Sequence, residues 1–505
     1  VPKRQEVVNI VAPGSFGLNT EDSPTELPLE FASVANNCVI DNFGRLGARK
    51  GFSLTTTTST PLGSAEVVSV IHHTTDSGDV GVFSSGNGKL LKGEETLTDV
   101  SGALSITGDN WELESWDNEL WAAQQGHSLA RFDNGGTNVF VAVSGAPAAN
   151  FVFGGAGRLW AGGDSTAPTT LYWSSLLDGT QWHGGDSGSL DLKTVWPAGY
   201  DKLVTGCIFN NLLVLFGQKS ILIYSGIDDP STMAKVEDFT QIGIVSRDSK
   251  VDIGTDLVFL SEGGLRSLGR LIQADGSQPV ADIAKQIRTD LFNAIDSEGE
   301  RIKMIYSQNE RFILVIFTGQ NIAYCFDTRR PLETGDLRAT RWTSLIPSCG
   351  TTKLQGGDLI FGGTGGIMGY DTSYRDQGNP YSFDYTSPST DLGAPSVAKF
   401  LKRLNPIFIS TQTDTVIVKW AYGFSANFTS QAIDFSSSTS FTPAYYGISM
   451  YNNGALYTGG TPINDPVVHT SGSGDVLSVG LSTTIDGNKF SLQEIEMHLV
   501  TGRKI

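Results

Sequence analysis

Residues 185–188 (GDSG) have the residue order that surrounds a nucleophilic serine in one class of serine protease. That chemistry needs a histidine to take the proton from the serine and a carboxylate to orient the histidine. The only upstream pair, His72 and His73 in VIHHTTD, lacks the small residues and cysteine that flank such a base, so a polar loop is the plainer reading of Ser187. Residues 175–182 (SLLDGTQW) bring Asp, Gly and Trp into the order of a sialidase-type aspartate box, but compressed and only once. No Arg cluster for a substrate carboxylate and no Tyr/Glu nucleophile pair stands out beside it. The six histidines (72, 73, 127, 183, 469 and 498) form no H-x-x-x-H or Cys/His ligand pattern, and no P-loop, Rossmann fingerprint or EF-hand loop is present. Seven of the nine tryptophans fall between Trp111 and Trp196, where they can either line a sugar-binding stripe or fill the cores of β-hairpins. No catalytic, cofactor-binding or metal-ligating residue is assigned, and the chain is expected not to be an enzyme.

The elements that would position these residues are β-strands. With 505 residues the chain is about three times the usual domain size, which calls for two or three units with buried cores. Glycine is abundant at 59 residues, while only 17% of residues are charged, which disfavours helical bundles and disordered chains. No apolar run approaches the 18 or so residues of a membrane-spanning helix; the longest are 212–216 and 312–317. The opening Val-Pro-Lys-Arg-Gln lacks a charged-then-apolar leader, so export by a signal peptide is not expected. Cys38, Cys207, Cys325 and Cys349 are too sparse for a disulfide framework and read as buried, reduced thiols. Asn427-Phe428-Thr429 is a glycosylation sequon by letter only.

A short apolar run, a glycine-rich turn and a second apolar run spell an antiparallel hairpin. The pattern recurs at residues 79–91, 118–132, 157–173, 211–224, 256–268, 309–326 and 358–370, at spacings near the 40 to 50 residues of a four-stranded blade. The expected fold is mainly β: a β-propeller of six or seven blades over residues 55–375, with a β-sandwich assembly as the other candidate. Residues 280–295 (VADIAKQIRTDLFNAI) space Ile283, Ile287, Leu291 and Ile295 as an amphipathic helix lying on the propeller's side. Residues 371–388 are rich in Asp, Ser, Pro and Gly and read as a linker. Beyond them, strand-like runs at 404–409, 415–422, 476–481 and 490–500, separated by polar stretches such as 435–441 and 470–474, predict a β-sandwich-like module over 376–505. Residues 1–54 are left as an N-terminal arm or docking segment.

Residues 13–52 (PGSFGLNTEDSPTELPLEFASVANNCVIDNFGRLGARKGF) resemble the opening of the tail nozzle proteins of short-tailed bacteriophages, also called tail tubular protein B or packaged-DNA stabilisation proteins. The matching positions are Gly17, Leu18 and Asn19, then Pro24 and Pro28, Asn36 and Asn37, and the run Gly44, Leu46, Arg49 and Gly51. Three further stretches are similar to that family: residues 171–182 (LYWSSLLDGTQW), the helix followed by residues 306–342 ending in Arg341-Trp342, and residues 386–403 (TSPSTDLGAPSVAKFLKR). The chain is short beside the longest members, which puts any additional tip domain in doubt.

The resemblance implies a homohexameric virion protein at the tail tip, made in the host bacterial cytoplasm, with a propeller in each subunit and no cofactor. Its partners would be the adaptor ring of the head-to-tail connector, tail fibres or receptor-binding proteins, and packaged double-stranded DNA, with no stable membrane insertion. It would retain DNA in the particle and form the conduit for ejection. Charge is compatible with that role. Of a net charge of -18, residues 55–375 hold -14, with 37 carboxylates against 23 Lys plus Arg. An acidic wall repels a duplex and lets it slide without sticking. The alternative expectation is a β-propeller that binds glycans or acts as a sialidase-like glycoside hydrolase.

Overall fold

The computed structural model of the 505-residue chain describes residues 5–197, 199–273, 282–410, 415–434 and 463–504. They fall into two compact units, one of residues 54–323 and 346–370, the other of residues 1–53, 324–345 and 371–505.

The first unit is a β-propeller. All seven expected hairpins are present, and each forms the second and third strands of a sheet. Three are entered through two consecutive residues of positive φ, Asp117-Asn118, Ala156-Gly157 and Asn210-Asn211, and Asn87-Gly88 makes the turn inside the first hairpin. That is the type I′ geometry whose twist suits an antiparallel pair, and it explains the Asn, Asp and Gly at these turns. Every sheet also has a preceding strand: Ser69–Thr75, Glu112–Trp116, Phe151–Gly155, Leu203–Phe209, Lys250–Asp252, Lys303–Ser307 and Cys349–Thr352. These first strands neighbour one another in order, Leu203–Phe209 meeting Lys250–Asp252 through the Lys250–Thr205 hydrogen bond, and Cys349–Thr352 lies back beside Ser69–Thr75, so the circuit closes.

Apolar side chains fill the spaces between successive sheets. Phe83 and Leu90 pack with Trp111 and Leu120; Trp121 packs with Leu159 and Trp182; Trp160 packs with Leu213 and Leu222; Phe216 packs with Phe259. Val82 and Leu91 of the first sheet, with Val67 just ahead of it, meet Ile360 and Ile367 of the last. Five of the seven clustered tryptophans, 111, 121, 160, 182 and 196, are buried, so blade packing accounts for most of that stripe.

The expected helix is shorter and displaced. It runs Arg288–Glu298 after a 3-10 turn Lys285–Ile287, and residues 280 and 281 lie outside the described residues. Asp282 accepts from the Ala284 N–H and pairs with Arg288, which holds the chain in a turn before the helix begins. Ile283, Ile287, Leu291 and Ile295 are buried as expected, whereas Phe292 is exposed.

The second unit is a sandwich of two sheets. In one, Phe490–Lys504 runs antiparallel to Val397–Ser410 on one side, and to Gln5–Val11 and Leu46–Ala48 on the other. In the other, Val34–Asn36 lies between Arg338–Trp342 and Tyr381–Thr386, followed by Leu477–Ile485, Val416–Tyr422 and Thr429–Ile433. Ile10, Leu46, Leu404 and Phe490 of the first sheet share a core with Phe383, Val418 and Leu481 of the second. Residues 1–53 therefore supply strands to both sheets, where the sequence suggested a separate arm. Likewise the stretch read as a linker contains the strand Tyr381–Thr386, and residues 324–345, assigned to the propeller from sequence, group with the sandwich. The polar stretch 435–441 lies outside the described residues.

This interleaving makes a prediction. A fragment of residues 371–505 alone lacks the partner strands Gln5–Val11 and Val34–Asn36 and leaves two sheet edges open. It is expected to aggregate or lose cooperative unfolding by circular dichroism, while addition of residues 1–53 and 324–345 by linkers restores a sharp transition.

Candidate functional site

Of the residues singled out near the N-terminus, Arg49 and Asn37 are fully buried and make the most extensive side-chain contacts. Arg49 is fully buried; its Nη1 and Nη2 donate to the two carboxylate oxygens of Asp376 at 2.9 and 2.5 Å. The guanidinium stacks 4.3 Å from the centre of the Tyr381 ring, 4.8 Å from Phe52 and 5.4 Å from Trp342. Planar stacking with a bidentate carboxylate is an arrangement that lysine cannot reproduce. The Tyr381 hydroxyl donates to the Arg49 carbonyl, and burial pushes its phenol well above the usual range.

Asn37, also fully buried, has φ +54°, a left-handed conformation that asparagine tolerates. Its Nδ2 donates to the Ser382 carbonyl at 2.8 Å and the Ser344 hydroxyl at 3.0 Å, and its Oδ1 accepts from the N–H groups of Thr343 and Ser344. One side chain thus joins three distant stretches. Gly17 has φ +86°, and a Cβ there would lie 2.7 Å from the Ala339 nitrogen; a Cβ on Gly51 would lie 2.2 Å from the Arg375 carbonyl. Leu18 and Leu46 are buried, Asn19 folds its side chain onto Asp22 and the Glu21 N–H, and Gly44 closes the turn between Asp41 and Arg45. These eight residues all belong to the sandwich unit.

A second cluster, missed from sequence, sits among the first strands of the propeller. Arg247 is buried and donates to both oxygens of Asp248, to the Asn110 Oδ1 at 2.9 Å and to the Asn150 carbonyl at 2.9 Å. Lys303 reaches Asp248 at 2.9 Å and Asn110 at 3.1 Å. Lys250 donates to Thr205 at 2.9 Å and lies 3.9 Å from Glu112. Glu112 and Glu114, on one face of their strand, accept from the N–H groups of Val152 and Gly154, each at 3.1 Å. The two carboxylates cap the free edge of the next sheet's first strand. Burial raises both, Glu114 to about 7. Burial also acts on Asp248, but Arg247 and Lys303 outweigh it and hold that carboxyl far below the usual range.

The remaining sequence candidates are accounted for as structural groups. The Ser187 hydroxyl donates to the Gly184 carbonyl, and Asp186 pairs with Arg158 at 2.6 Å, so the GDSG loop is tied down without a serine–histidine pair. In the aspartate-box-like turn, Asp178 accepts from Thr180 and the buried Trp182 indole donates to the Gly179 carbonyl. None of the four cysteines forms a disulfide; burial pushes Cys207 and Cys349 up to about 12 and Cys38 well above its ordinary value. Among the described residues no group of His, Cys, Asp and Glu could hold a metal ion, and no helix is long and apolar enough to cross a membrane.

Two predictions follow from these clusters. Arg49→Met strands the buried Asp376 carboxylate and is expected to cost about 3–5 kcal/mol in denaturant unfolding, while Arg49→Met combined with Asp376→Leu recovers most of it; equal losses in the single and double variants would refute the pairing. Glu114 holds its proton more tightly in the folded than in the unfolded chain, so its contribution is most favourable below pH 4.5 and fades as pH rises to about 7. Glu114→Gln is expected to match the parent at pH 4 and to exceed it by about 3 kcal/mol at pH 8. A pH-independent difference would contradict this.

No protein-family model matches the chain, and no curated protein does. Among solved structures it is similar to PorZ, a surface component of the type-IX secretion system of Porphyromonas gingivalis, with 11% identity and a TM-score of 0.36 over 63% of this chain and 37% of that one. It is also similar to the WD40 β-propeller domain of Doa1, with 13% identity and a TM-score of 0.37 over 63% of this chain and 96% of that one.

Proposed function

We propose that this chain is a structural virion protein, the distal tail nozzle of a short-tailed phage, acting as a homohexamer that retains packaged DNA and forms the channel for its ejection. The observation that carries this reading is the convergence of the stretches that resemble that family. Residues 17–51, Trp342 and the strand beginning in residues 386–403 are far apart in sequence, yet all belong to the sandwich unit, where Arg49 stacks on Trp342 and Asn37 bonds to Ser344; residues 171–182 lie in the propeller unit. A propeller in each subunit is compatible with the same reading. So is charge, because the excess of carboxylates lies between residues 55 and 375 and suits a wall past which DNA slides. On this reading the adaptor ring and tail fibres are its protein partners.

Native mass measurement of the purified chain tests the proposal, with a particle of six 54.0 kDa subunits as the expected result. Imaging of that particle bound to an adaptor ring is expected to place acidic side chains on the channel wall. A stable monomer that fails to dock on the ring, or a channel wall that is neutral or basic, would overturn it.

A further inference from the structure

At the end of the propeller where several first strands begin lies a polar cavity of about 480 Å³. Its floor is set by Arg247. Because the guanidinium donates to Oδ1 of both Asn110 and Asn150, the orientation of each amide is fixed and each Nδ2 turns away from Arg247. Neither Nδ2 has a protein acceptor among the described residues. The side-chain amides of Gln125 and Gln218 also line the cavity without a protein partner, and both residues are exposed. Four carboxamides thus face one space with hydrogen bonds to give.

Charge in the cavity is balanced. Arg247 is already matched by Asp248, which leaves Lys202 against Asp109 and Asp164, so an anionic ligand gains no attraction over a neutral one. Pro168, Leu203, Val204 and Val245 supply a modest apolar wall. Planar carboxamides and carboxylates offering paired donors and acceptors, beside a small apolar face, match a sugar ring, with its vicinal hydroxyls on the edge and C–H groups on the face. We propose that this cavity binds a neutral sugar unit. Binding requires no turnover, and the assignment is independent of the hexamer.

Saturation-transfer NMR on the full chain with D-glucose, D-galactose, D-mannose and N-acetyl-D-glucosamine tests this. At least one is expected to bind saturably with Kd about 1 mM. Gln125→Ala combined with Gln218→Ala is expected to weaken binding about tenfold without changing the melting temperature. Asn150→Asp keeps an acceptor for Arg247 but removes the Nδ2 donor, and is expected to weaken binding similarly. The proposal fails if none of the four sugars saturates, if the variants bind as the parent does, or if inorganic phosphate displaces the sugar.

Discussion

The propeller depends on how the first strands of its sheets are joined near the axis, and Asp248 is central to that joint. Its two oxygens receive Arg247 and Lys303, which in turn hold Asn110 and Asn150, so residues ahead of or within four different sheets meet at one carboxylate. First strands in a propeller have a free edge, and backbone N–H groups there need acceptors. Glu112 and Glu114 provide them for Val152 and Gly154, at the expense of desolvating two carboxylates, which raises the pKa of both. Three carboxylates and three cations share the region, which offsets much of the desolvation cost.

The sandwich solves a related problem with a single pair. Its chain segments come from three separated parts of the sequence, and loop closure over such distances carries an entropic cost. Arg49 and Asp376 supply a directional contact between the first and the last of these parts, and the stacked Tyr381, Phe52 and Trp342 exclude water from it. A buried pair of this kind contributes little net stability against an apolar substitute, but it strongly penalises any register that separates the partners. Asn37 acts in the same way through neutral hydrogen bonds, since misplacing it would leave several buried groups without partners.

Legibility in the sequence followed chemistry. The seven hairpins were readable because their strands are apolar and because turns such as Asp117-Asn118, Ala156-Gly157 and Asn210-Asn211 favour Asn, Asp or Gly at fixed places. The first strands were not, because the axis replaces apolar alternation with groups such as Glu112, Glu114, Lys250 and Lys303. The importance of Arg49 came through a motif, but its partner Asp376 lay in a stretch whose Asp, Ser, Gly and Pro content mimics a linker. The role of that aspartate is set by a residue 327 positions away, which local composition does not encode. The helix was recognised by its spacing of isoleucines, yet the start was misplaced because Asp282 draws the preceding chain into a turn.

The charge balance at the axis also bears on where the acidity resides. Glu112, Glu114 and Asp248 are matched by Arg247, Lys250 and Lys303, so this network accounts for none of the -14 carried by residues 55–375. The excess must therefore be carried by the remaining carboxylates of that stretch, among them exposed groups such as Asp76, Glu95 and Asp117. Exposed charge of one sign weakens compaction slightly but shapes long-range potential strongly. Interior charges thus organise the propeller while the unmatched ones govern what approaches it. The two populations can change separately, because an exposed carboxylate can be neutralised without disturbing the contacts of Asp248.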